Sequence, residues 1–258
     1  MIVKSAKLSL FLLSTLLLCG SLKSQNSSEN DSTKTKLKLN FSADVMSRYV
    51  WRGCDYGNSP SIQPTLSLSW ANLEAGCWSA VSTQNNYKEV DLYAKYTYKK
   101  ISLIVTDYYI PFNNSGISSS PDNRYFYYDD KKTAHTLEGS VLYKGDEKLP
   151  LWLLGGVYFY GNDKRWGCDL KKDSTDKTYY SSYFEAGYTF AIQENSADLF
   201  VGFTPQKGAY GNDAGIINMG ITGYRKIKIT SDFSLPVKGS LIFNPQTSNV
   251  FFTFGITL

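Results

Sequence analysis

The chain has 258 residues, a formal net charge of +4, 15% aromatic residues and 20 tyrosines. Beyond the amino terminus no stretch is apolar for the about 20 residues that a membrane-spanning helix needs, so a helical span is excluded. The near-balanced charge offers no basic face for nucleic acid, and one histidine with scattered cysteines gives no paired spacing for a metal or other cofactor.

Lys4 and Lys7 precede an apolar run from Leu8 to Leu18, followed by Gly20, Ser21 and Ser24. This is the layout of a secretory signal, expected over residues 1–25. Leu-Leu-Leu-Cys19-Gly resembles a lipoprotein box but lacks a small residue before the cysteine. Cleavage would remove three lysines and no acid, lowering the charge to +1. Residues 26–35 have no apolar anchor and read as a disordered leader.

From residue 36 to 258 the dominant period is two, which predicts strands. Twelve are expected near 36–51, 61–72, 74–85, 88–99, 101–112, 133–145, 149–161, 177–192, 197–205, 214–229, 233–244 and 248–258. In the first, Leu37, Leu39, Phe41, Ala43, Val45, Tyr49 and Trp51 share a face opposite Lys38, Asn40, Ser42, Asp44, Arg48 and Arg52. The tenth sets Ile217, Met219, Ile221 and Gly223 against Asn218, Gly220, Thr222, Tyr224 and Lys226. In the last, Val250, Phe252, Phe254, Ile256 and Leu258 face one way. That ending resembles the assembly signal of outer-membrane proteins, which makes the barrel-assembly machinery an expected partner.

The connections alternate in length. Those at 73, 100, 146–148, 193–196 and 230–232 are short, whereas on the other side 52–60, 113–132, 162–176 and 206–213 are longer and polar, with 86–87 and 245–247 short as well. An even strand count with short turns on one side and longer loops on the other is the layout of a transmembrane barrel. The fold class expected is therefore all-β: a twelve-stranded antiparallel up-and-down transmembrane barrel. Aromatics near strand ends, among them Tyr49, Trp51, Tyr108, Tyr158 and Phe251 at the outer rim and Trp70, Tyr96, Tyr98 and Trp152 at the periplasmic rim, read as interfacial girdles.

The inward phase collects charges of both signs. Asp44, Lys95, Glu138, Glu185 and Lys238 fall near mid-height, Arg48, Glu89 and Asp91 nearer the outside, and Lys226 nearer the periplasm. Such groups can line an aqueous pore and set its selectivity, or they can pair and fill the interior. His135 falls on the face of Leu137, Gly139, Val141 and Tyr143, expected to meet lipid. No serine near it is marked as activated, which argues against an enzyme. Cys54 and Cys168 fall in outer loops, where an oxidising exterior permits a disulfide if one loop folds inward. Two free thiols are the alternative.

Ser47-Arg48-Tyr49-Val50-Trp51-Arg52-Gly53, continuing to Ser59-Pro60-Ser61-Ile62-Gln63-Pro64, resembles the amino-terminal signature of the TorF-like porin family. Gly76-Cys77-Trp78-Ser79 and Tyr87-Lys88-Glu89-Val90-Asp91-Leu92-Tyr93 fit the same resemblance, which covers about the first third of the mature chain. It implies a barrel in a Gram-negative outer membrane, with Arg48 toward the lumen and Arg52 at the loop mouth. The function expected is a narrow passive channel for small hydrophilic solutes, with outer-membrane lipid around it. The alternative is a closed, non-transporting barrel whose outer loops bind a partner or surface.

Overall fold

The computed structural model describes residues 36–84, 87–111, 122–129, 132–163 and 177–258. The expected signal, the leader and Cys168 lie outside the described residues. The strands in chain order are β1 Lys38–Met46, β2 Tyr49–Trp51, β3 Cys54–Tyr56, β4 Ser61–Trp70, β5 Leu73–Ser82, β6 Lys88–Tyr98 and β7 Ile101–Tyr109. They continue as β8 His135–Asp146, β9 Leu149–Gly161, β10 Ser182–Ile192, β11 Asn195–Thr204, β12 Gly215–Lys228, β13 Ser234–Asn244 and β14 Asn249–Thr257.

All but β2 and β3 form one closed antiparallel barrel of twelve strands, each beside its neighbour in the chain. Strands β1 and β4 count as neighbours because the β2–β3 hairpin between them has left the wall. Tight turns on one rim explain the up-and-down order. After β4, β6 and β10, Ala71, Lys99 and Gln193 take φ of 51°, 54° and 55°, as two-residue hairpin turns demand.

Closure sets β1 against β14 from Asp44–Thr257 to Met46–Gly255. Below that, Ala43 and Leu258 exchange both backbone hydrogen bonds, at 3.1 and 2.9 Å. Above it, Ser47 N donates to the Phe254 carbonyl at 2.8 Å and Ser47 Oγ accepts from Phe254 N at 2.9 Å. There β1 ends. The predicted strand 36–51 is thus cut at Ser47, and its last third turns into the lumen as β2.

Alternation sorts the wall as the period predicts. Leu39, Phe41, Leu92, Val105, Leu199, Ile221, Leu241, Phe252 and Phe254 stand exposed on the outside. Their neighbours Asn40, Asp91, Thr106, Thr222, Ser240 and Thr253 face in. One phase differs from expectation. A bulge pairs Gly202 with Asn218 but Phe203 with Ile216, so Ile217 becomes the extra residue and turns inward, 0% exposed. The buried core is consequently inside the barrel: Tyr158, Tyr183, Tyr210 and Ile217, with Trp51, Tyr108 and Leu154 against them.

Candidate functional site

The site is the lumen, and its main occupant is the β2–β3 hairpin. Tyr49 pairs with Tyr56, Val50 with Asp55 and Trp51 with Cys54. Arg52 and Gly53 make the turn at φ of 49° and 76°, a two-residue turn with both central residues left-handed. Glycine is required at the second position on two counts. Its φ is unfavourable for a side chain, and a Cβ there would collide with the Ile217 carbonyl. Asn244 Nδ2 donates to the Gly53 carbonyl at 3.0 Å and holds the tip.

Arg52 crosses the lumen to the opposite wall. Its Nη1 and Nη2 donate to Glu138 Oε2 and Oε1 at 2.5 and 2.8 Å, a bidentate pair. The Tyr210 hydroxyl accepts from Arg52 Nη1 and donates to Glu138 Oε2. The guanidinium also lies 4.3 Å from the Trp51 ring centre and 4.5 Å from that of Tyr183, where the ring faces favour a cation. Glu138 is 1% exposed. A buried charge at each end explains why both are so fully partnered.

Tyr210 comes from a second inward loop, between β11 and β12. Ser181 Oγ donates to Asp163 Oδ1 at 2.6 Å and accepts from Ala209 N at 2.7 Å, while Gly208 N donates to the Gly211 carbonyl. The hairpin's other flank is aromatic. Tyr49 packs on Tyr56, Trp78 and Tyr87 at 5.4, 5.3 and 6.1 Å. Two loops therefore fill the lumen on the long-loop side.

Nearly every charge placed inside by the sequence has a partner there. Asp44 takes Lys238 Nζ at 2.6 Å and the Thr257 hydroxyl at 2.6 Å. Lys95 pairs with Glu74 at 2.8 Å, and Arg48 pairs with Asp55 at 3.2 Å on the hairpin itself. Glu89 Oε2 accepts from the Tyr87 hydroxyl at 2.7 Å, and Asp91 is buried beside it. Glu185 is held by the Tyr183 hydroxyl and by Asn218 Nδ2. Lys226 stands exposed near the short-turn rim.

Several expectations change. Arg52 is not at the loop mouth but at the centre of the latch. Tyr49 and Trp51 are not rim aromatics, because β2 carries them inside, and Tyr108, Tyr158 and Phe251 also face the lumen. Trp152 turns in as well, its indole lying flat where Gly187 on the next strand has no Cβ. Trp70, Tyr96 and Tyr98 do stand exposed on the outside. Cys54 is a half-buried thiol on β3 rather than an outer-loop residue, with no disulfide among the described residues; its pairing with Cys168 lies outside them.

His135 has the predicted phase but different surroundings. It is 0% exposed because residues 122–129 fold back over the outside of the wall. Its Nδ1 meets Asp107 Oδ1 at 2.9 Å and Nε2 meets the Tyr125 carbonyl at 2.5 Å, with the Tyr128 ring stacked at 4.1 Å. In this strap, hydrogen bonds from Arg124 hold Asp122 below the usual carboxylate range. Burial, then the Asp107 carboxylate, holds the Tyr128 phenol above its usual value.

Below the hairpin a cavity of about 350 Å³ remains, roofed by Trp51 and Arg52 and walled by β10, β11, β12 and β13. It opens into the lumen. No protein-family model matches the chain, and no curated protein does either.

Proposed function

We propose that the protein is an outer-membrane β-barrel that passes small hydrophilic solutes through a narrow lumen closed by its own first hairpin. The observation that carries this reading is the lumen itself: polar, aromatic and partly open, beneath a plug held by one ion-paired latch. The continuous apolar exterior, with Phe252 69% exposed, supports a lipid surround, since a water-soluble monomer rarely leaves so large a patch uncovered. The resemblance of residues 47–64 to TorF-like porins supports the same reading, and those residues are the hairpin and its anchors. The role is transport rather than catalysis.

The second reading, a closed barrel whose outer loops bind a partner, is favoured by the strap, where Phe126 projects 89% exposed.

Fractionation and liposome swelling test the proposal. The folded chain should enter the outer-membrane fraction and run faster on gels unheated than boiled. A hairpin-released variant should admit small sugars to liposomes. A detergent-free soluble monomer ends the membrane reading, and impermeable liposomes with a released hairpin end the channel reading.

A further inference from the structure

The cavity beneath the hairpin has an uneven charge balance. Three cations border it or its roof, and each has a carboxylate: Arg48 with Asp55, Arg52 with Glu138, and Lys238 with Asp44. Two further carboxylates line it with neutral partners alone. Glu185 accepts from Tyr183 and Asn218, and Asp198 accepts from the Thr189 hydroxyl at 2.7 Å and the Tyr224 hydroxyl at 3.1 Å. Arg52 is close enough for its field to reach Glu185, but both of its Nη atoms are taken by Glu138. Five carboxylates thus meet three cations.

The rest of the wall fits a cation too. Trp152, Phe200 and Tyr224 line the same space under Trp51, and aromatic faces attract positive charge. Asn218, 6% exposed, is on this wall with its Oδ1 unpartnered, which is costly for a buried acceptor unless something donates to it. Glu185 and Asp198 sit at different heights: Asp198 pairs in register with Thr189, four residues along β10 from Glu185. At about 3.3 Å per residue the two carboxylates are about 13 Å apart along the strand. The volume of about 350 Å³ suits one small ligand, at the lower end of the about 300–1,000 Å³ range of ligand pockets.

We propose that this cavity is a binding site for a small amine-bearing solute, held between Glu185 and Asp198 with its apolar face on Trp152. The inference rests on the channel reading for its setting and gives that channel a substrate class. The ammonium supplies one of the two positive charges the cavity lacks and donates to one carboxylate, while hydroxyls at the far end of the solute reach the other across the about 13 Å between them. An anion meets two uncompensated carboxylates and no free cation.

The test is equilibrium binding to the folded full-length mature protein in detergent, read by tryptophan fluorescence, with three probes on one carbon skeleton. Glucosamine is expected to saturate and to bind at least tenfold more tightly than glucose, and gluconate is expected not to bind. Glu185→Gln and Asp198→Asn, both close in shape to the native residues, should each weaken glucosamine about tenfold and leave glucose unchanged, with unheated gel mobility confirming the fold. Equal binding of glucose and glucosamine, binding of gluconate, failure of glucosamine to saturate, or insensitivity to both variants overturns the site. Liposome swelling with a hairpin-released variant separates this from the channel reading: flux without glucosamine preference removes the site alone, and saturable binding to the wild type without flux through the released variant removes the channel alone.

Discussion

Arg52, at the tip of a hairpin inside the barrel, reaches Glu138 on the far wall through two hydrogen bonds of 2.5 and 2.8 Å. One end of this contact is carried by a two-residue turn and the other by a wall strand. It joins the plug to the barrel across sequence positions 86 residues apart.

The latch should show the asymmetry of buried ion pairs. Glu138→Gln or Arg52→Ala leaves the other charge buried without its partner, at a cost of about 3–5 kcal/mol if the hairpin stays seated. Replacing both, as Arg52→Met with Glu138→Met, should recover most of that loss. Unfolding in urea followed by gel mobility checks it: equal losses in the single and double variants contradict the latch.

Cys54 can report on the plug. It is half-buried on β3, so maleimide should label it slowly in the folded protein with the other cysteines replaced by serine. Gly53→Ala places a Cβ against the Ile217 carbonyl at a left-handed φ of 76°. It should unseat the hairpin and accelerate labelling at least tenfold while the wall stays folded. An unchanged rate means the hairpin tolerates the change and the close approach does not hold it.

The wall makes a separate claim. Arg in place of Leu92 or Ile221, both exposed on the outside, should cost about 2–4 kcal/mol near a bilayer midplane. Arg in place of Thr97 or Thr222, on the inward phase, should cost much less. Folding into liposomes under urea measures all four; equal tolerance would show that the exterior does not face lipid.

Selectivity should follow the Asp44–Lys238 pair, joined at 2.6 Å. Asp44→Asn leaves Lys238 uncompensated and should shift a released lumen toward anions. Lys238→Met should shift it toward cations. Reversal potentials in a salt gradient check the signs, and shifts in the same direction would place the pair outside the conduction path.

The wall was legible because period two and loop-length parity are local and redundant. Each strand repeats the signal, and an error in one leaves the ring intact. The plug was not, although its signal was present. Tyr49-Val50-Trp51 and Cys54-Asp55-Tyr56 flank Arg52-Gly53, which is a hairpin pattern. The alternation of β1 runs into it without a glycine or proline at Ser47, so the two read as one long strand. The inward position of Ile217 depends on a bulge opposite Phe203, and the cover over His135 depends on a loop folding back. Neither leaves a periodic trace. The partners of the lumen charges across the barrel, such as Glu138 for Arg52, depend on ring closure and not on spacing.

Single-channel recording in planar bilayers tests the closed lumen most directly. The wild type should give few and small conductance steps, and Arg52→Ala should give frequent, larger ones, because releasing the latch frees the hairpin from the lumen. Large, steady steps in the wild type that Arg52→Ala leaves unchanged would contradict a hairpin-closed channel.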